Sequence, residues 1–99
     1  MFHAFWCLSA QRKGMVIFME YNFDNSERIE NLSYAIGYYR RKAGISQEKL
    51  AEAVGISRQH LSAVEAPGMD RGLSLELLFN IATVLEIEPY LLLKFKLEK

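Results

Sequence analysis

From Ile29 onward the apolar positions fall at helical intervals. Ile29, Leu32, Ile36, Tyr39 and Ala43 follow one another at spacings of 3, 4, 3 and 4, a single stripe along an amphipathic helix. The polar stretch before it offers Asn22, Asp24, Asn25 and Ser26 as N-cap side chains. Gly44 is placed to close the helix as a C′ glycine. Ser46 predicts the cap of a short second helix with Leu50, Ala51 and Val54 inward, ended by Gly55. Ser57 predicts the cap of a third, with Leu61 and Val64 inward, stopped by Pro67-Gly68. After the loop Met69-Asp70-Arg71-Gly72, Ser74 predicts a fourth helix that turns Leu75, Leu78, Ile81, Ala82 and Leu85 toward the core. Pro89 suits the first position of a fifth, behind a Glu88 cap. The strict alternation of Leu93-Lys94-Phe95-Lys96-Leu97 predicts a tail that leaves the helix as a strand. The pattern is that of an all-α domain over residues 26–93, with an N-terminal arm or leader (1–25) and a C-terminal tail (94–99).

The leader differs from the rest. Residues 1–23 hold Phe2, Phe5, Trp6, Cys7 and the β-leaning run Met15-Val16-Ile17-Phe18-Met19, which has neither helical spacing nor clean alternation. Two readings stay open. Met15 and Met19 are both candidate start residues, and the purine-rich codons of Arg12-Lys13-Gly14 suit a ribosome-binding site, which makes part of the leader a start-site artefact. The alternative is a short strand or arm packed on the domain or on a partner subunit.

Composition narrows the function classes. The 99 residues provide one domain, and with 51% apolar against 24% charged residues they predict a packed core rather than a disordered tail. The lone cysteine, Cys7, excludes an intramolecular disulfide framework and a cysteine zinc cluster. His3 and His60 are the only histidines, so neither metal nor cofactor is expected. The apolar start is cut off by Gln11, Arg12 and Lys13, too short to span a bilayer and poorly shaped as a signal peptide. A cytoplasmic protein is the expectation, and an unpaired thiol fits it.

The segment Gly44 to Glu65 carries the functional signal. Two helices of about two turns each are joined through Gly55-Ile56. Gly55 allows the left-handed backbone of a tight turn, and Ala51 lets the two helices approach closely. Ile45, Leu50, Val54, Ile56, Leu61 and Val64 would fill the angle between them, the spacing of a helix-turn-helix. Arg58, Gln59, Ser62 and Ala63 are left on the outward face of the second of the pair. Arg and Gln near a helix N-terminus are able to make bidentate contacts to guanine and adenine edges in a major groove.

From about Ile29 to Leu92 the chain resembles the Cro/CI-type (XRE family) helix-turn-helix domain of phage repressors and bacterial regulators. The likeness is carried by Tyr39 to Gln47, Leu50-Ala51, Val54 to Ser57, Leu61-Ser62 and Val64-Glu65. Ser74 to Leu78, Ile81-Ala82, Leu85 and Leu91-Leu92 continue it. The resemblance implies a five-helix, lambda-repressor-like fold that binds double-stranded DNA as a symmetric dimer. It implies base contacts from Arg58, Gln59, Ser62 and Ala63. Phosphate contacts fall to Gln47 and Ser57, helped by helix N-terminal amides. Arg41 and Lys42 are further phosphate candidates. Arg40 and Glu65 occupy positions the family uses for a structural ion pair between its first and recognition helices. The sequence also departs from the family. Ala63 replaces a long polar or basic side chain, so its contact shrinks to at most a thymine methyl. Ala66-Pro67 stands where Asn-Gly is usual, and the loop after it is longer, with Arg71 the candidate to restore its phosphate contact.

Zero net charge, from 12 basic and 12 acidic residues, weighs against strong non-specific DNA affinity. The charge is uneven, however. Residues 40–60 hold five basic against two acidic side chains, a balance of +3, and residues 20–30 hold one against four, a balance of −3. His60, Ser62 and Glu65 do not share a helix face, so no catalytic trio is expected there, and no enzyme activity elsewhere. Tyr34, Tyr38 and Tyr39 read as core or rim packing, and the apolar tail from Leu91 to Leu97 as helix packing or a self-association surface. The expected function is sequence-specific transcriptional regulation from an operator, as a homodimer. The alternative is an antitoxin-like or accessory module on the same fold, with a protein as its main partner.

Overall fold

The computed structural model describes residues 23–67 and 72–97. The expectations for leader residues 1–22, Asn22 among them, for loop residues 68–71 with Arg71, and for residues 98–99 lie outside these. Among the described residues there are five helices and no strand: α1 (Ser26–Lys42), α2 (Gln47–Val54), α3 (Arg58–Glu65), α4 (Leu75–Leu85) and α5 (Pro89–Lys94).

Local chemistry starts and stops most of them as the sequence predicts. Ser46, Ser57 and Ser74 each accept a hydrogen bond on the side-chain oxygen from the backbone N–H three residues on, at 3.1, 3.0 and 3.0 Å. Each satisfies one of the amides a helix start leaves unpaired. Gly55 takes φ 84°, the left-handed conformation that lets α2 stop and α3 begin three residues later. Pro89 occupies the first turn of α5. The start of α1 is built differently from a simple cap. Asn25 sits at the N-cap but turns its side chain to Arg28, and the Asp24 carboxylate accepts instead from the Ser26 N–H (3.1 Å) and hydroxyl (2.7 Å).

Every helix contributes one large aliphatic side chain that is wholly buried: Ile36, Leu50, Leu61, Ile81 and Leu92. Each is worth roughly 1.5–3 kcal/mol by its removal from water. α2 packs on α3 and α4, while α1 lies across α3, α4 and α5. Ile45, Val54 and Ile56 close the angle between α2 and α3 from its half-buried edge.

Three expectations are corrected. Leu75 is 65% exposed, and Leu77 takes its place in the core, because Leu77 stacks one turn below Ile81 whereas Leu75 lies at the edge of the stripe in the first turn. Ala43 is exposed, since α1 ends at Lys42 and Ala43 is its C-cap. The tail is extended from Phe95 but pairs with no strand among the described residues. It docks on α1 instead. Phe95 lies 5.6 Å from the Tyr38 ring and 6.5 Å from Tyr39, and the Leu97 N–H donates to Asn31 Oδ1 at 3.2 Å. Tyr38 and Tyr39 are thereby accounted for as packing against the tail.

Two outcomes are expected from these caps. α4 ends on Glu86 at φ 60°, a left-handed position that favours glycine. Glu86→Gly is expected to stabilise the fold by about 0.5–1 kcal/mol in urea titration, and a lowered midpoint would contradict the assignment. The two Ser26 hydrogen bonds hold the Asp24 carboxyl below its ordinary value. A depressed carboxylate contributes stability above its unfolded pKa and loses it as pH falls through the folded one. NMR titration is therefore expected to place the Asp24 midpoint below that of an ordinary aspartate, and Ser26→Ala to raise it.

Candidate nucleic-acid interface

α2 and α3 each start on a serine cap, and the turn through Gly55 joins the end of α2 to the start of α3. On α3, Arg58, Gln59 and Ser62 are exposed, and Ala63 is half-buried beside them. Among the described residues, none of these four side chains makes a hydrogen bond or ion pair within the chain. The opposite face of the same helix is anchored by buried Leu61 and Val64. α3 is thus divided into a face that packs and a face with no structural duty. Ser57 is exposed, but its side-chain oxygen is already engaged as the cap. What it offers an anion is the hydroxyl hydrogen, alongside the first-turn amides of α3.

Behind this face lies a polar cluster that ties three helices. Arg40 Nε donates to Glu65 Oε2 at 2.8 Å and its Nη2 to Oε1 at 3.2 Å, a bidentate pair whose side chains are 11% and 7% exposed. Arg40 Nη1 donates to the Ile45 carbonyl at 2.8 Å, so all three guanidinium nitrogens are used. Gln47, the first residue of α2, donates from Nε2 to Glu65 Oε1 at 3.0 Å. Gly37 makes room for this: a Cβ there would stand 3.3 Å from Glu65 Oε1 and 3.1 Å from Arg41 Nη1. The buried glycine in mid-helix is explained by the close approach of the carboxylate from α3.

The phosphate candidates separate into two groups. Gln47 bonds to the Glu65 carboxylate, and exposed Arg41 lies over Gly37. Lys42 points elsewhere, with its Nζ 5.8 Å from the centre of the Tyr38 ring on the face of α1 that meets the tail. Arg71 lies outside the described residues. Because Arg40 is neutralised by Glu65, the positive surplus of this region is carried by exposed Arg41, Lys42, Lys49 and Arg58.

Sequence reasoning missed two contacts here. One is the Gln47–Glu65 bond, whose only signal was a glycine at position 37 against helix propensity. The other joins α3 to the far end of the loop after it: His60 Nε2 lies 2.6 Å from the Gly72 carbonyl oxygen, so Nε2 carries the proton and donates. Among the described residues no group of three His, Cys, Asp or Glu could hold a metal ion. No described helix is long and apolar enough to cross a membrane.

Removing one member of the buried pair leaves its partner charged and desolvated. Arg40→Ala or Glu65→Ala is expected to cost about 3–5 kcal/mol in chemical denaturation, against under about 1 kcal/mol for Arg41→Ala. Equal, small losses at all three positions would contradict the burial of the pair.

Residues 36–92 match a family model described as helix-turn-helix. Among solved structures the chain is similar to a hypothetical transcription factor, NHTF, from Neisseria, at 31% identity and a TM-score of 0.61. The likeness covers 71% of this chain and 76% of that one. No curated protein matches. With its two short helices, their serine caps and the exposed face of α3, the chain belongs to the XRE-type helix-turn-helix family of DNA-binding regulators.

Proposed function

We propose that this protein is a sequence-specific transcriptional regulator that binds an operator as a homodimer, with α3 in the major groove. The observation that carries the reading is the division of α3. Arg58, Gln59 and Ser62 are exposed and unengaged on a helix whose other face is locked into the core. Arg58 would read a guanine edge and Gln59 an adenine edge, with Ser62 a shorter contact and Ala63 a methyl surface for thymine. Gln47, Ser57 and Arg41 would hold phosphates on either side. Lys42, turned toward the tail, would meet the backbone only by leaving the Tyr38 ring. Regulation follows from occupancy, by occlusion of a promoter or recruitment to it. The similarity to a hypothetical transcription factor from Neisseria is in keeping with this assignment.

A dimer suits the charge. Arg40 is neutralised internally and net charge is zero, so one domain brings few cations to the phosphate backbone. Two domains on half-sites one helical turn apart would double the contacts and restore operator affinity.

Selection from random duplex DNA at roughly 150 mM salt, read by sequencing, is expected to enrich an inverted repeat with half-sites about one turn apart. Arg58→Ala is expected to cost about 1–3 kcal/mol and to relax preference at one base pair of the half-site. Loss spread evenly over all sequences would reassign Arg58 to the backbone. Absence of enrichment from a folded sample would sink the operator reading in favour of a protein partner.

A further inference from the structure

The geometry points to Glu65 as a positioning residue for the DNA backbone, acting through Gln47; the inference rests on the DNA-binding reading above. An ionised carboxylate only accepts hydrogen bonds, so the bond from Gln47 fixes which end of the carboxamide faces Glu65. The nitrogen must turn inward. Its other N–H is left without an acceptor among the described residues and remains to donate to an external anion. Without the carboxylate, the amide could rotate to offer its carbonyl oxygen, which repels a phosphate. Glu65 itself cannot swing away, since Arg40 grips both its oxygens and Gly37 lets it sit close to α1.

The arrangement therefore does more than join helices. The ion pair sets the register between α1 and α3, and the third bond passes that register to the first residue of α2. Gln47 is half-buried at a helix start, where the dipole favours an approaching anion. Its side chain is held before DNA arrives, so the rotamer freedom normally lost on contact is already gone. Arg41 and the Glu65 carboxylate both approach Gly37, so Arg41 adds charge near the same cluster.

The test separates positioning from folding. Because removal of Glu65 alone strands Arg40, the informative variant is the apolar double replacement Arg40→Met with Glu65→Met, an exchange that buried pairs often tolerate. Its fold is checked by circular dichroism and thermal melting. Binding is measured on the duplex recovered by selection and on a scrambled one, alongside Gln47→Ala and the triple variant. Gln47→Ala is expected to weaken both duplexes by roughly tenfold, as a lost bond to a charged oxygen should. On the scrambled duplex, which α3 does not read, the double variant is expected to bind roughly threefold to tenfold more weakly and the triple variant no worse than Gln47→Ala. Full affinity in a folded double variant, or additive losses in the triple, would overturn the inference.

A second measurement needs no variant to fold. In the wild type, one Gln47 side-chain amide proton is expected to be shifted downfield and protected from exchange, and ordinary values for both protons would overturn the inference. A wild type that binds no duplex would remove it together with the DNA-binding reading, and a protected Gln47 amide would then show that the bond exists for another purpose.

Discussion

The fold depends on a charged pair placed where apolar packing would be cheaper. Arg40 and Glu65 are drawn from water, and desolvation makes such a pair a poor source of stability in itself. What it supplies is direction. A bidentate guanidinium–carboxylate contact tolerates little sliding or rotation, whereas an aliphatic interface accepts many registers. With one partner on α1 and the other at the end of α3, the pair ties the last residue of α3 to the first helix. The Ile45 carbonyl and the Gln47 amide complete the cluster, so the segment between α1 and α2 is fixed by the same four groups.

Around that cluster, a buried apolar core centred on Ile36, Leu50, Leu61, Ile81 and Leu92 supplies the cohesion and three serine caps the boundaries. The division of labour is spatially clean. Core contacts come from the inner faces of α2 and α3, the polar cluster closes their open end, and the outward face of α3 bears no load. His60 adds a tie from α3 to the carbonyl of Gly72, so the helix is restrained on the loop side as well.

Most of this architecture was legible because its determinants are local. Ser46, Ser57, Ser74, Gly55 and Pro89 act on amides or dihedrals within a few residues of themselves, and the spacing of Leu50, Leu61 and Ile81 reports a helical face directly. Reading failed where the outcome depends on what a distant element presents. Leu75 and Leu77 both suit an apolar stripe, and only the position of the neighbouring helices decides between them. The alternating tail looks like a strand until one sees that it meets the Tyr38 and Tyr39 rings rather than a sheet edge. Within the candidate site, resemblance supplied Arg40 and Glu65 as partners 25 residues apart, but it gave no reason to join Gln47 to them across 18. That bond depends on how the end of α3 is placed against the start of α2, which no local pattern reports.

The unburdened face of α3 has an evolutionary consequence. Where recognition residues also hold a fold together, a change of target must pass through unstable intermediates. Here Arg58, Gln59 and Ser62 make no bond that the core relies on, so substitutions among them should change stability by no more than about 0.5 kcal/mol. On the proposed reading, such a chain can drift after gene duplication toward a new target sequence one side chain at a time, through intermediates that still fold.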